Sequence, residues 1–384
     1  PRTDLRTGLA EPVQEGLLAL HARTLLAQLT VSSSFFAEMA AKGEISAGRD
    51  NGTMGEFELL AKVRERLPPA NARIRLGSGD DAAVAVPGGA TATSVDAVVE
   101  GVHFRRGRAT LAQIGHKALA TALSDLAAMG AEPGEAYVVL GVPSDLGEEG
   151  ALELLDGMAT LAEKTGTSLA GGDLTRSSQL FLAITVVGHA PESSAFVTRG
   201  GARPGDVLVV TGELGGAAAG YQLLTAARCI EHTGVCSMHR AARFRARQLE
   251  PWPRVGAGRA LAAAGATAMI DLSDGLGADA RHLAESSSVA LRIDAEALPI
   301  AAGVQEIAAA AGWDPLQLAT SGGEDYELLA SIPRKRLAAA QRSVREADAG
   351  LALTEIGEVL AGDGVEIRLP DGRLLEPGGF DQLA

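Results

Sequence analysis

Ala268-Met269-Ile270-Asp271-Leu272-Ser273-Asp274-Gly275 passes from an apolar strand, through alternating polar residues, into a glycine turn. The apolar run predicts a buried strand to Leu272, and the residues after Gly275 predict a helix. Asp271 and Ser273 stand two apart at the strand end, so they face the same side. Asp274 reads either as the N-cap of that helix or as a further oxygen ligand. Five similar motifs occur: Gly77-Ser78-Gly79-Asp80-Asp81-Ala82, Ser94-Val95-Asp96, Ser124-Asp125-Leu126, Gly171-Gly172-Asp173 and Gly322-Gly323-Glu324-Asp325-Tyr326-Glu327. Hardly a lysine or arginine lies inside any of them. Carboxylates beside flexible glycine backbone are where hard cations such as Mg²⁺ find oxygen ligands. Two like charges about 4 Å apart repel by roughly 4 kcal/mol at an effective dielectric near 20. A gathered set therefore needs protons or metal, and metal is the better expectation.

The same β-then-α order extends along the chain. Thr91 to Val99 alternates like a strand, with Asp96 inside it as a ligand or as a solvent-facing edge residue. Leu111 to Met129 has helical spacing through Ile114, Leu119, Leu123 and Leu126, and Gly130 stops it. Asp125 near that helix end opposes the helix dipole, at a cost of about 0.3–1 kcal/mol, which predicts a compensating cation. Ala136 to Val142 and Leu180 to Val187 suit buried strands around a helix from Gly150 to Lys164. A second mixture follows Gly200-Gly201-Ala202-Arg203-Pro204-Gly205, which predicts a boundary there. The expected domains are 54–200 and 201–384. Residues 1–53, which start at Pro1 and end in a polar linker, are expected to be a natural or introduced extension outside the chemistry. The class is α/β or α+β with two domains, and no short repeat suggests a solenoid or propeller.

Composition narrows the function. The 384 residues are 46% hydrophobic and 21% charged, which argues against disorder. A formal charge of −14 disfavours nucleic acid or an anionic membrane as partner. Cys229 and Cys236 are the only cysteines, so a disulfide framework is not expected and a cytoplasmic location fits. The apolar stretch from Leu17 to Ala37 is interrupted by His21, Arg23, Gln28 and serines, short of the roughly 20 residues of a membrane helix. Gly77 to Ala82 superficially matches a dinucleotide loop, but strand and turn residues follow it where a helix is required. Gly256-Ala257-Gly258 lies within a helical pattern and fails the same test, and no Walker-type motif occurs. Cys229, His232, Cys236 and His239 are tightly spaced for structural zinc and read better as a polar insertion. His103, after an apolar strand, is by itself more often a packed hydrogen-bonding residue than a catalyst.

Taken in order, Gly55-Glu56-Phe57, Gly79-Asp80-Asp81, Val99-Glu100-Gly101-Val102-His103-Phe104, Ser124 to Ala131, Gly171-Gly172-Asp173, Asp271 to Gly275, Gly322 to Glu327 and Gly379-Phe380-Asp381 resemble the thiamine-monophosphate kinases. These belong with aminoimidazole ribonucleotide synthetase, selenophosphate synthetase and a hydrogenase maturation factor. The resemblance implies ATP-dependent phosphorylation of thiamine monophosphate to thiamine diphosphate with several Mg²⁺ ions. It implies Asp81, Ser94, Val95, Asp96, Asp125, Asp173, Asp271 and Asp274 as metal ligands, of which Asp96, Asp125 and Asp173 would carry the chemistry. Gly172, Asp173, Arg199 and Ser273 would contact nucleotide, and His103, Glu324 and Phe380 the thiamine substrate. It further implies a homodimer whose N-terminal domains share a β-barrel, and a layered C-terminal α/β domain. Val95 stands where a threonine is common, which leaves only its backbone oxygen as ligand. A relative that activates another acid, or a non-catalytic nucleotide binder, are the alternatives. The late cysteines count against selenophosphate chemistry, and the retained carboxylates against a non-catalytic role.

Overall fold

The computed structural model describes residues 56–78, 82–225 and 237–380. Asp81, the segment with Cys229, His232 and Cys236, and residues 1–53 lie outside them. Helix α1 (Glu56–Arg66) leads to a short antiparallel pair, β1 (Ile74–Leu76) and β2 (Val84–Ala85). Strand β3 (Ala90–Val99) then feeds α2 (Leu111–Ala128). Thr110 and Gln113 cap α2 reciprocally, and Gly130, at φ 66°, follows its end. Next come β4 (Glu132–Val142), α3 (Gly147–Thr165), β5 (Ser168–Arg176) and β6 (Phe181–Ala190).

The four strands lie in the order β3-β6-β4-β5. Only β4 and β5 run parallel, and α3 is the crossover that such a pair requires. One face, carrying Val98, Ile184 and Val186, packs on Ile114, Leu119 and Leu123 of α2. Ala97, Ala183, Val139 and Asp173 form one row across the strands on the opposite face. That face is open: Val95 is 67% and Val139 38% exposed.

Every strand of the second sheet comes from beyond residue 205: β7 (Asp206–Thr211), β8 (Ala268–Asp271), β9 (Ala290–Asp294), β10 (Leu328–Pro333), β11 (Leu353–Leu360), β12 (Gly364–Arg368) and β13 (Leu374–Leu375). Their order is β13-β12-β9-β11-β7-β10-β8, antiparallel except for β12 beside β9. Central β7 is buried throughout. Leu208 and Val210 enter one core with Leu276, Ala280 and Leu283. Val207 and Val209 enter the other with Leu261, Ala340 and Val344. Period-two alternation thus fills two layers from one apolar strand. Around the sheet stand α4 (Gly216–Thr225), α5 (Met238–Leu249), α6 (Val255–Ala264), α7 (Leu276–Ser287), α8 (Val304–Ala311), α9 (Pro315–Ser321) and α10 (Leu337–Ala347).

A contact at the end of α2 joins the layers and helps to set the site. Ala127 and Ala128, at the end of α2, belong to the core under α6 and α10. A Cβ on Gly258 would come within 2.0 Å of the Ala127 carbonyl oxygen, so α6 can approach α2 only through a glycine. Asp125 is thereby carried to the end of β8. No helix among the described residues is long and apolar enough to cross a membrane.

Candidate active site

Ser124 and Asp125, adjacent on α2, bridge the two sheets in opposite directions. Ser124 Oγ donates to Asp271 Oδ2 at 2.7 Å. Ser94 Oγ, from the edge strand β3, donates to Asp125 Oδ2. Burial raises the proton affinity of Asp125, with Asp96 adding to it, while the Ser94 hydrogen bond and Arg199 oppose. Burial pushes Asp271 up to about 7, and the Asp125 charge adds to this. Arg199 is thus the protein cation felt by both carboxylates, and it does not restore ordinary acidity.

The loop after β8 is organised by a residue that the motif search passed over. Gly275, not Asp274, is the N-cap of α7, and it makes no side-chain cap bond. Asp279 Oδ2, one turn into the helix, accepts the Asp274 and Gly275 N–H groups at 3.1 and 3.0 Å. Burial, with Asp271 and Asp274 nearby, pushes Asp279 up to about 8. Asp274 is left facing the cleft, and its carbonyl accepts the Phe380 N–H at 2.9 Å, which pins the tail there.

The sixth motif zips onto the fifth: Glu324 N–H donates to the Ser273 carbonyl at 2.8 Å, and Tyr326 N–H to the Leu272 carbonyl at 2.9 Å. Glu324 and Tyr326 take φ values of 70° and 50°, a conformation that non-glycine residues seldom hold. Basic partners absent from the motif itself arrive from elsewhere. Buried Lys117 reaches Glu324 Oε1 at 2.6 Å. Arg254 grips Glu327 with two nitrogens at 2.8 and 2.6 Å. Asp325 accepts the N–H groups of Gly215 and Ala217 at the start of α4. Asp325 and Glu327 are therefore structural, which corrects the reading of all six motifs as acid without base.

A cleft of ≈ 520 Å³ collects Val95, Asp96, His103, Asp125, Asp271, Ser273, Asp274, Glu324 and Phe380. His103 Nδ1 accepts the Val99 N–H at 3.1 Å, so the proton of a neutral ring sits on Nε2. Tyr326, also in the cleft wall, has its phenol raised well above the ordinary value by burial and by Glu324, Asp96, Asp271 and Asp125. Gly172 and Asp173 lie elsewhere, on the far edge strand β5, lining a smaller cleft of ≈ 90 Å³ beside Leu59, Leu60 and Val63 of α1. A Cβ on Gly172 would meet the Val138 carbonyl at 2.0 Å, so strand packing alone accounts for that glycine. Among the described residues no three His, Cys, Asp or Glu side chains converge at metal-binding spacing. His239, in α5, is the one member of the cysteine–histidine group inside the described residues.

Sequence reasoning quoted Ser124 and Tyr326 within motifs without giving them a role, and it missed Asp279, Lys117, Gln248, Tyr221 and Trp313. Lys117, Thr121 and Asp125 stand four apart on one helix, a polar stripe that helical spacing could have revealed. Tyr221, Gln248 and Trp313, which line the cleft, carry no local pattern.

Two family models match: AIR synthase related protein, N-terminal domain, over residues 79–190, and the corresponding C-terminal domain over 203–370. The thiamine-monophosphate kinase of Mycobacterium tuberculosis is 42% identical over 282 residues, 72% of this chain and 80% of that protein. The crystal structure of thiamine-monophosphate kinase from Stenotrophomonas maltophilia K279a matches with TM-score 0.72 and 34% identity, covering 84% of this chain and 98% of the other. A structure described as AaThiL complexed with AMPPCP and TMP matches with TM-score 0.65 and 29% identity, over 85% and 96%. Their shared architecture, and identity sustained over most of both chains, show that this chain belongs to the thiamine-monophosphate kinase family within the AIR synthase related proteins.

Proposed function

We propose that this chain transfers the γ-phosphate of ATP to the phosphate of thiamine monophosphate, forming thiamine diphosphate and ADP. The observation that carries it is the joining of Asp96, Asp125 and Asp271 with Glu324 and the aromatic rings of Tyr221, Trp313 and Phe380 in one cleft. The family's named activity and the bound analogue and substrate of AaThiL support the same pairing. Phosphoryl transfer rests on positioning and charge neutralisation rather than a covalent nucleophile. The acceptor oxygen is already ionised, so no general base is required.

The donor set fits Mg²⁺. Its members are carboxylates and hydroxyls, and Mg²⁺ is commonly held by one or two carboxylates together with substrate phosphates. Asp96, Asp125, Asp271 and Asp274, with Ser94 and the Val95 backbone, are the proposed ligands, and Asp81 and Asp173 would add to them. Bound there, the ions would offset the charge of two polyanions. Ser273, Arg199, Gly172 and Asp173 are proposed nucleotide contacts, and His103, Glu324 and Phe380 contacts to the thiamine moiety. Purified protein given ATP, Mg²⁺ and thiamine monophosphate is expected to form one thiamine diphosphate per ADP. ADP released without thiamine diphosphate would overturn the assignment.

The working protein is proposed to be a cytoplasmic homodimer, with domains 54–200 and 201–384 and a dispensable segment 1–53. Support for the dimer comes from the open sheet face with Val95, Val139 and Asp173, which a second copy could cover in a shared barrel. Each sheet draws its strands from one side of residue 200, which supports the division. A chain starting at Met54 is expected to sediment as a dimer with full turnover; a monomer, or an inactive protein, would refute this arrangement.

A further inference from the structure

Lys117, on α2, is 4% exposed, and its stem shares a small apolar pocket with Val98, Phe104, Ile114 and Leu249. Its ammonium reaches Glu324 Oε1 at 2.6 Å, and among the described residues no other carboxylate stands within ion-pair distance of it. A buried ammonium is costly unless paired, so the lysine depends on this one contact. Glu324 is the unequal partner. Its side chain stays 29% exposed and lines the main cleft, which Lys117 does not line. Gln248 Nε2 donates to the other oxygen, Oε2. A carboxylate offers about four acceptor positions, so roughly two remain for a ligand in the cleft. The Glu324 backbone, at φ 70° and tied to the Ser273 carbonyl, fixes the root of the side chain. Its aim is set by Lys117 and Gln248, which arrive from two other helices.

Lys117 and Asp125 lie on the same helix, about 12 Å apart along its axis. One rigid element thus carries an acid of the proposed metal set and also directs the acid proposed for the acceptor. We propose that Lys117 is a positioning residue, its ammonium holding the Glu324 carboxylate in the orientation that receives the acceptor substrate. This rests on thiamine monophosphate being that substrate and Glu324 its contact. Lys117, outside the cleft wall, acts only through Glu324, and no covalent bond forms or breaks at it. Without the ammonium, part-exposed Glu324 would exchange one fixed partner for water and spread over more rotamers. Acceptor binding would then bear the loss, because a contact works only when it is held in the productive geometry. The nucleotide contacts proposed above do not include Glu324.

The test is a double-mutant cycle on the full chain, read as separate Michaelis constants for the two substrates. Lys117→Met keeps an apolar stem and removes the charge. It is expected to raise KM for thiamine monophosphate at least about tenfold, with KM for ATP within about twofold and kcat within about threefold of wild type. Made in a Glu324→Ala background, the same change should alter KM for thiamine monophosphate by less than about threefold, because the group it acts through is gone. Should either variant fail to fold, Lys117→Gln and Glu324→Gln complete the same cycle. A parallel rise in both Michaelis constants would overturn the proposal, since the lysine would then only hold the two layers together. Equal losses with and without Glu324 would overturn it too, as would an unchanged KM for thiamine monophosphate in either single variant. Failure of wild type to convert thiamine monophosphate at all would instead remove the functional reading, and this proposal with it.

Discussion

Asp125 sits where a carboxylate is least welcome: half-buried, near a helix C-terminus, and beside Asp96. Ser94 and Arg199 lessen that cost without removing it, so a cation is expected to hold its charged form. Asp125→Asn keeps the volume and an acceptor for Ser94 but removes the charge. At limiting Mg²⁺ the variant should lose at least about 100-fold in turnover, or roughly 2.7 kcal/mol of transition-state stabilisation, with its melting temperature maintained or raised. Normal turnover would remove Asp125 from the metal set. Phe380 is a different kind of residue. It is 57% exposed, and its backbone is tied to Asp274, so its ring can be deleted without opening a core. A stacking loss of about 0.5–1.5 kcal/mol predicts a rise of roughly 2- to 10-fold in KM for thiamine monophosphate in Phe380→Ala. KM for ATP should barely move; a parallel rise in both constants would place Phe380 outside the acceptor pocket.

Helix α2 is the element on which both layers depend, and Gly258 permits its docking. Gly258→Val would force a side chain against the Ala127 carbonyl, where even a Cβ stands at 2.0 Å. Overpacking of this kind costs about 1–3 kcal/mol, and the displaced helix carries Asp125 away from Asp271. The variant should therefore lose stability in urea and activity together; unchanged stability would mean that the helices part without strain. The course of α2 was legible in the sequence because an apolar stripe and a stop glycine are both local. So were β3 and β8, whose alternation or apolar runs reflect the surfaces they bury. Partners across the fold were not legible. Lys117 meets Glu324 from the other layer, and Arg254 meets Glu327 from a helix distant in sequence. Asp279 caps a turn that looked complete with Asp274. Asp173 was identified by its motif, but strand register, which no motif records, placed it on the open face.

At the scale of the whole molecule, the candidate cleft and the stability of the fold share the buried acid Asp271. Asp271 is pushed up to about 7 and Asp279 to about 8, chiefly by burial, against about 3.9 for an unfolded aspartate. The folded state consequently keeps protons that the unfolded chain has already released. With fewer protons on the unfolded side, unfolding free energy falls as pH rises, until each group passes its folded value. This contribution is fully present below about pH 4 and lost through pH 7 to 8. The decline is at most about 1.4 kcal/mol per pH unit for each group still protonated. His116, whose proton affinity is lowered by burial, works in the opposite direction only at lower pH. Above pH 6.5 its contribution has largely ended, so the carboxylates can be read alone. Urea denaturation in EDTA from pH 6.5 to 8.5 should therefore show a falling midpoint. Asp279→Asn keeps an acceptor for the Asp274 and Gly275 N–H groups but binds no proton, so it should flatten the decline and stabilise the protein at pH 8.5. Under the proposed ligand set, Mg²⁺ would compete with protons at Asp271 and leave Asp279 to its hydrogen bonds, so added Mg²⁺ should remove only part of the slope. A midpoint independent of pH in wild type would show that neither acid keeps its proton in the fold, and that their charges are balanced within the protein.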